Sequence, residues 1–327
     1  MFKTSRPLQA AMHRVLHLGE AAGKPGEVYY PLRLKQTETP TPKQNEVLVQ
    51  LKAAALNHRD LFVRRHQYPA ISLENPMLSD GYGVIVELGK GVSDQSLLGT
   101  NVLLTPMRGW TSDPAGPEVP SEWSITGSTR LYPANVQQGQ NVLVTGIGGG
   151  VALSALQFGK AMGANVFVTS GSQEKLEHAR DLGVIGGAIY KAENWEADIR
   201  QQLPPSRPYI DAIIDGAGGD IVSKAVKLLK PGGVIVQYGM TVSPKMNWLM
   251  PAVLLNAELK GTTMGSRQEF RDMVNYVERM GIRPVISRTV LGLDNLEAID
   301  GLFEDMKAGR HTGKLVIEID HHSSHKI

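Results

Sequence analysis

The chain has 327 residues, the length of about two ordinary domains, with 42% hydrophobic and 20% charged residues, as in water-soluble globular proteins. A net charge of +2 gives no electrostatic basis for binding nucleic acid or an anionic membrane. Because there is no cysteine, disulfides, thiolate nucleophiles and cysteine-ligated zinc sites are excluded, and a reducing compartment is compatible with the composition.

Residues 1–133 are predicted to form a mainly β domain, since turn-rich segments separate short apolar runs without regular strand–helix alternation. Strands are expected from near Met12 and at 47–51, 83–88 and 102–104. The first 19 residues carry three basic residues and no acid, a weak sign of a mitochondrial presequence. We favour a short extension before the first strand and a cytoplasmic protein.

Residues 134–265 are predicted to be an α/β domain with a doubly wound parallel sheet. Strands are expected at 142–145, 165–169, 188–190, 211–215, 233–238 and 257–263, and helices at 150–162, 172–182, 193–202 and 219–229. Such alternation requires right-handed crossovers and places ligand sites at the carboxyl ends of the strands.

The C-terminal segment, residues 266–327, is predicted to return to the first domain. Helices are expected at 267–280 and 296–307, and strands at 284–290 and 314–318. The tail contains His321, His322 and His325 and is expected to be a solvated end rather than a metal site.

The strongest functional signal lies between the first predicted strand and helix of the α/β domain. The candidate phosphate-binding residues there are Gly146, Gly148, Gly149, Gly150 and Val151. Glycine allows close backbone approach to a pyrophosphate, and a helix N-terminus supplies free N–H groups and partial positive charge. A membrane span is the alternative, because Leu131–Gly159 lacks charge, but this density of glycines indicates a turn.

The end of the second strand of this domain bears on the choice of cofactor. NAD-preferring sites usually carry an acidic residue there for the ribose 2′-hydroxyl. This strand ends in Thr169-Ser-Gly-Ser172, so we expect a 2′-phosphate held by Ser170, Ser172 and Lys175, and NADPH as cofactor. Ser172 could instead be only a helix N-cap and Lys175 a solvated residue, and the two readings are compatible.

A series of short motifs runs in order from residue 46 to residue 314. They are Glu46-Val-Leu-Val, Leu56-Asn-His-Arg-Asp60, Asp80-Gly-Tyr-Gly83, Gly146–Gly150, Gly171-Ser-Gln-Glu-Lys175, Asp211-Ala-Ile-Ile-Asp215, Pro231-Gly-Gly-Val234, Gly261-Thr-Thr-Met-Gly-Ser-Arg267 and Gly309-Arg-His-Thr-Gly-Lys314. Taken jointly they resemble the medium-chain dehydrogenase/reductase superfamily, in its zinc-free branch of quinone oxidoreductases and enoyl reductases.

The resemblance implies a GroES-like substrate domain, a Rossmann domain and hydride transfer to a hydrophobic quinone or α,β-unsaturated carbonyl compound. It also implies that Tyr190 helps to hold the adenosine phosphate end, although Tyr190 could be an ordinary strand aromatic. Gly216, Gly239 and Thr241 follow their strands, where the nicotinamide half should lie. Arg267 either reaches a cofactor phosphate or only begins a helix. A homodimer is possible.

Zinc-dependent relatives carry a cysteine ligand where this sequence has Asn57, and a Gly-His-Glu segment where it has Ser79-Asp-Gly81. Catalytic zinc is therefore not expected, since about three protein ligands are required. The Asn57 amide, with Tyr68 or a backbone N–H, would then stabilise charge on the substrate oxygen. The alternative for Asn57 is a turn-forming residue. Asp60 and Arg64, one helical turn apart, are expected to form a structural ion pair, with a role as acid and base as the alternative.

Several tens of residues that the family carries between its barrel and its first Rossmann strand are missing around 124–141. They would supply barrel strands, the hinge and helices of the cleft. The alternative function is therefore a catalytically impaired nucleotide-binding protein.

Overall fold

The computed structural model describes residues 12–68, 71–105, 109–118 and 134–319. They fall into two compact units, one from the described parts of Met1–Pro106, Arg288–Arg310 and Leu315–Ile327, the other from those of Met107–Ser287 and His311–Lys314. In these ranges no helix combines the length and the apolar character needed to cross a membrane. The basic N-terminus before Met12, the histidine-rich tail and residues 119–133 lie outside the described residues.

The described residues form fifteen strands and eight α-helices. The strands are β1 (Met12–Leu18), β2 (Leu32–Glu38), β3 (Val47–Ala55), β4 (Gly81–Leu88), β5 (Asn101–Leu104), β6 (Asn141–Val144), β7 (Asn165–Ser170), β8 (Gly186–Ile189), β9 (Ile210–Asp215), β10 (Gly218–Gly219), β11 (Leu229–Gln237), β12 (Ser243–Met246), β13 (Glu258–Gly261), β14 (Ile286–Leu291) and β15 (Lys314–Glu318). The helices are α1 (His58–Arg64), α2 (Gly150–Ala161), α3 (Gln173–Asp181), α4 (Trp195–Gln202), α5 (Ile221–Ala225), α6 (Met250–Leu254), α7 (Arg267–Met280) and α8 (Leu296–Lys307), and a short 3₁₀ helix spans Gln95–Leu97.

The first unit is built on a five-stranded sheet with the order β14-β15-β3-β4-β5. β3 pairs antiparallel with both β4 and β15, with Ile317 opposite Ala54. The apolar face of this sheet packs on α1 and α8, and Leu315, Ile317 and Phe303 are almost fully buried there. β15, the last described strand, therefore belongs to the same sheet as β3, β4 and β5 from the first part of the chain.

The second unit contains a parallel six-stranded sheet with the order β13-β11-β9-β6-β7-β8. Its central strands are buried on both faces, and every residue of β9 is buried. Leu143, Ile213 and Ile235 face one apolar core, whereas the residues that alternate with them face the other side of the sheet. Parallel strands covered on both faces require such continuous apolar runs. The predicted doubly wound α/β fold is confirmed.

The two edges of this sheet differ. At β8, the Gln202 side-chain amide donates from Nε2 to Gly187 O over 3.1 Å and accepts at Oε1 from Gly187 N over 2.9 Å. A side chain thus takes the hydrogen bonds that another strand would make. At β13 every residue is exposed, and Leu259 is 43% exposed.

The structure departs from the predicted elements after β9. The predicted helix at 219–229 ends in the structure at Ala225, and β11 begins at Leu229 with a register shift before Val234. Ala225, Leu228 and Leu229 are spaced like one face of a helix, and all three are buried in the same core. Because of that spacing, the predicted helix continued beyond its observed end. β12 and α6 were not predicted.

Candidate functional site

The glycine-rich turn joins β6 to α2 at the centre of the parallel sheet. Gly146 has φ +64° and Gly148 has φ +137°, values that favour glycine. A Cβ atom at Gly146 or Gly149 would have no heavy atom within 4 Å, so there is open space before the first turn of α2. The first N–H groups of a helix have no intrahelical acceptor. The turn therefore fits a pyrophosphate, as sequence analysis proposed.

A segment from the end of the chain lies against this turn. Gly313 N donates to Gly148 O over 2.8 Å, and Lys175 Nζ donates to His311 O over 2.8 Å. A Cβ atom at Gly150 would lie 2.6 Å from Lys314 Cδ. Lys314 thus places a basic side chain beside the start of α2. Sequence analysis did not select it as a cofactor residue, because only the folded chain brings it to the turn.

The residues at the end of β7 gather beside the turn. Ser170 is fully buried and its Oγ accepts from Ser172 N over 3.1 Å. Ser172 is the N-cap of α3, and its Oγ accepts from Lys175 N over 3.3 Å. The Lys175 ammonium would lie 3.0 Å from a Cβ atom at Gly148. Burial lowers the pKa of Lys175. Ser170 therefore supports the loop, while Ser172 and Lys175 are the partly exposed polar groups.

Gly171 lies between these groups and the end of β8. A Cβ atom there would meet the Tyr190 hydroxyl at 2.5 Å and Lys191 Cε at 3.4 Å. Tyr190 thus lies near the loop of Ser172, and its role at the adenosine end stays a prediction. Lys191, which sequence analysis did not select, adds a second cation next to this loop.

The three residues predicted for the nicotinamide half also lie together. Thr241 donates from its backbone N to Gly216 O over 3.1 Å, and a Cβ atom at Gly239 would lie 3.2 Å from the same oxygen. Arg267 is exposed at the start of α7, and its backbone N donates to Trp110 O over 3.1 Å. Arg267 is the first residue of α7, and its expected bond to a cofactor phosphate stays a prediction.

A row of polar side chains crosses the carboxyl ends of the central strands. Thr169, Thr145, Asp215 and Gln237 each lie two residues beyond an apolar residue that faces the core of Leu143, Ile213 and Ile235. Asp215 is fully buried and accepts from Thr145 Oγ1 over 2.5 Å and from Gln237 Nε2 over 2.6 Å. Sequence analysis missed this row, although each strand visibly ends in a polar residue.

Asn57 and Asp80 contact each other in the first unit. Asn57 Nδ2 donates to Asp80 Oδ2 over 3.0 Å and to Ala55 O over 3.2 Å. Both amide N–H groups are thus used within the protein, as a residue that shapes a turn would use them. Asn57 is also the N-cap of α1.

Tyr68 lies in the same unit. Its ring is 5.2 Å from the Arg59 guanidinium.

The expected ion pair between Asp60 and Arg64 is wrong. Arg64 instead pairs with Asp300 at 2.6 Å, because its side chain passes between the rings of Tyr29 and Phe303. Asp60 accepts from Asn57 N over 2.8 Å and so caps α1.

At the position of the family's zinc, Asp80 is held by hydrogen bonds within the protein. Asp80 accepts hydrogen bonds from Ala55 N and Asn57 Nδ2. No group of three or more histidines, aspartates or glutamates suited to a metal occurs in the described part of the chain.

Comparison with known proteins agrees with this architecture. The model of the alcohol dehydrogenase GroES-like domain matches residues 43–155, and that of the zinc-binding dehydrogenase matches residues 150–279. The chain is 49% identical to a zinc-type alcohol dehydrogenase-like protein, YogA, of Leptosphaeria maculans, covering 93% of this chain and 99% of the relative. It is 27% identical to an acryloyl-coenzyme A reductase of Metallosphaera sedula, covering 87% and 95%.

The alignment with the Leptosphaeria protein also contains a gap in this chain. It extends over 354 positions, whereas 93% of 327 residues is about 304, so about fifty positions have no residue here.

Solved structures share the fold. A putative alcohol dehydrogenase from Sinorhizobium meliloti has a TM-score of 0.79 at 24% identity, covering 95% of this chain and 100% of that chain. A crotonyl-CoA carboxylase/reductase in complex with NADP has a TM-score of 0.75 at 18% identity, covering 96% and 97%. The chain therefore belongs to the medium-chain dehydrogenase/reductase superfamily, an oxidoreductase family whose fold implies a nicotinamide cofactor.

Proposed function

We propose that this protein is an NADPH-dependent oxidoreductase that acts on a quinone or an α,β-unsaturated carbonyl compound without zinc. The loop after β7 carries this proposal. It has no carboxylate between Thr169 and Ser172. The Ser172 hydroxyl caps the helix that carries Lys175, and the Lys175 ammonium lies beside the glycine turn. A 2′-phosphate needs such donors, whereas an NAD site needs an acceptor for the ribose hydroxyl. Solved structures that share the fold include both a complex with NADP and an NAD-dependent alcohol dehydrogenase, so the choice of cofactor rests on this loop.

In this proposal, the three parts of the cofactor bind at different places along the carboxyl ends of the parallel strands. The open turn at Gly146 and Gly149 would hold the pyrophosphate, with Lys314 as a further cation. Ser172, Lys175 and Tyr190 would hold the adenosine end. The nicotinamide half would lie against Gly216, Gly239 and Thr241, at the carboxyl ends of β9 and β11. When bound, the cofactor supplies the hydride.

The substrate class follows from the proposed absence of a Lewis acid. A simple ketone needs its oxygen polarised, whereas a quinone or a conjugated carbonyl is already activated. Charge on the substrate oxygen would be stabilised by hydrogen-bond donors, for which we propose Tyr68 and Asn57. Asn57 would have to exchange its bond to Asp80 or Ala55 for one to the substrate. The acryloyl-coenzyme A reductase relative supports a conjugated substrate.

The test is NADPH oxidation by the purified protein with a quinone, a conjugated enone and the matching saturated ketone. We expect turnover with the first two, none with the ketone, and no loss of rate with a zinc chelator. Turnover confined to the ketone, or abolished by the chelator, would contradict the proposal.

A second candidate function is nucleotide binding without turnover. It is favoured by the roughly fifty alignment positions that have no residue in this chain. NADPH binding without oxidation by any acceptor would support it.

A further inference from the structure

β13 is an edge strand of the parallel sheet in the described residues, so its outer side can accept a further strand. On its inner side, Thr262 N donates to Gln237 O of β11 over 2.9 Å. In a parallel strand the N–H and C=O groups of one residue point to the same side, and this side alternates along the chain. Glu258 and Lys260 therefore use their backbone groups towards β11. The backbone groups of Leu259, which lies between them, point away from the sheet.

Exposed apolar side chains are concentrated in the segment that leads into β13. Leu259 lies beside Ile235, which faces the core that also contains Ala252 of α6. α6 therefore covers the face of the sheet on which Leu259 lies. The large apolar residues exposed between positions 242 and 259 are Val242, Trp248, Met250, Val253, Leu254 and Leu259. Such a concentration of exposed apolar side chains is typical of a protein–protein interface.

The charged side chains of β13 match a second copy of the same strand. Glu258 and Lys260 lie on the face opposite to Leu259, and Lys260 Nζ is 2.9 Å from Glu258 Oε2. If two β13 strands pair antiparallel about a two-fold axis at Leu259, each Glu258 lies directly opposite Lys260 of the partner subunit. An axis at Glu258 or at Lys260 would instead place like charges opposite each other, which is destabilising.

The backbone favours the same register. With the axis at Leu259, the two Leu259 residues exchange both of their outward N–H···O hydrogen bonds. The neighbouring positions, Glu258 and Lys260, then form pairs without backbone hydrogen bonds, in which opposite side chains are closest. The hydrogen-bonding pattern and the charge pattern therefore select one register of β13 with itself.

We propose that β13 and the exposed apolar residues of 242–259 form the interface between two copies of this chain, in an antiparallel register centred on Leu259. A second copy fits this surface because it carries the complementary charges by symmetry. A strand of another protein would need the same alternation of charge at the same register. The interface uses residues of the second unit alone and does not depend on the proposed function.

The experiment measures mass by light scattering after size-exclusion chromatography, over a range of protein concentrations. The proteins are the wild type, Glu258→Lys, Lys260→Glu and the variant with both changes. Asp294→Lys is the matched control, because it reverses one charge of an exposed ion pair in the first unit. Circular dichroism verifies that each variant folds.

The wild-type protein should form a dimer. Each single change places like charges opposite each other at two symmetric positions, so the dissociation constant of the dimer should rise about thirtyfold. The variant with both changes restores the two attractive pairs and should return to within about threefold of the wild-type value. Asp294→Lys should leave the dissociation constant unchanged.

Three results would overturn the proposal. A wild-type protein that stays monomeric at every concentration would assign this surface to a different partner. Single changes that leave the dimer intact would place its interface elsewhere. A double variant as weak as the single variants would show that Glu258 and Lys260 are not opposite each other.

Discussion

Replacing Lys175 by alanine should weaken NADPH binding and leave NADH binding nearly unchanged. The Lys175 ammonium lies beside Gly148 and donates to His311 O over 2.8 Å. An ammonium has three donors, so this bond and a bond to a 2′-phosphate can coexist. Burial lowers the pKa of Lys175, which means that part of its hydration has already been lost in the folded protein. A phosphate can then bind it with little further desolvation.

The magnitude follows from the nature of this contact. A hydrogen bond to a charged group contributes about 1.5–3 kcal/mol. At about 2 kcal/mol the loss of Lys175 should raise the NADPH dissociation constant about thirtyfold. NADH has no 2′-phosphate and should change by less than about twofold. Because the pair is partly exposed, the contrast between the two cofactors should shrink as salt is added.

Nicotinamide fluorescence titration of both cofactors provides the assay. Lys160→Ala is the matched control, because Lys160 Nζ also donates to a backbone carbonyl, that of Leu182, over 2.9 Å. It should leave both affinities unchanged. Equal weakening of NADPH and NADH by Lys175→Ala would refute the argument, since Lys175 would then act through the turn rather than through the 2′-phosphate.

Two further predictions concern stability. Burial alone would raise the pKa of Glu196, but hydrogen bonds, first from Lys227, lower it to about 2 from an ordinary 4.5. Its contribution to stability is therefore present above pH 4.5 and lost towards pH 2, so Glu196→Gln should flatten that part of the acid-unfolding curve. An equally steep curve for the variant would contradict this. Asp300→Ala should lower the free energy of unfolding, measured with urea, by about 2 kcal/mol, because the Arg64 side chain is 2% exposed and would lose its carboxylate partner. Asp294→Ala, in an exposed pair, should cost under about 0.5 kcal/mol, and equal costs would refute the distinction.

Local sequence pattern was sufficient for the elements that carry the glycine turn. β6 and α2 occupy Asn141–Val144 and Gly150–Ala161, close to the predicted 142–145 and 150–162. A buried parallel strand is a continuous apolar run, and glycine marks the turn, so both signals are local. The predictions fail where pairing between residues far apart in the sequence determines the structure. β12 pairs with the two-residue strand β10, which no local pattern indicates.

The candidate site was predictable to the same extent. Ser172 could be identified as an N-cap because the capping hydroxyl and the backbone N–H that donates to it are three residues apart. The partners of Asn57 and Arg64 could not, because Asp80 and Asp300 are brought to them only by folding. The pairing of Asp215 with Gln237 likewise depends on sheet register rather than on spacing along the chain.

The unequal edges of the parallel sheet limit how molecules of this protein can join through it. The Gln202 amide closes the β8 edge, so strand pairing is open in the described part of this sheet only at β13. If two molecules paired through β13, the outward backbone groups of that strand would be hydrogen-bonded in both molecules. A third could not add, and the contact would form a closed pair rather than a growing fibre.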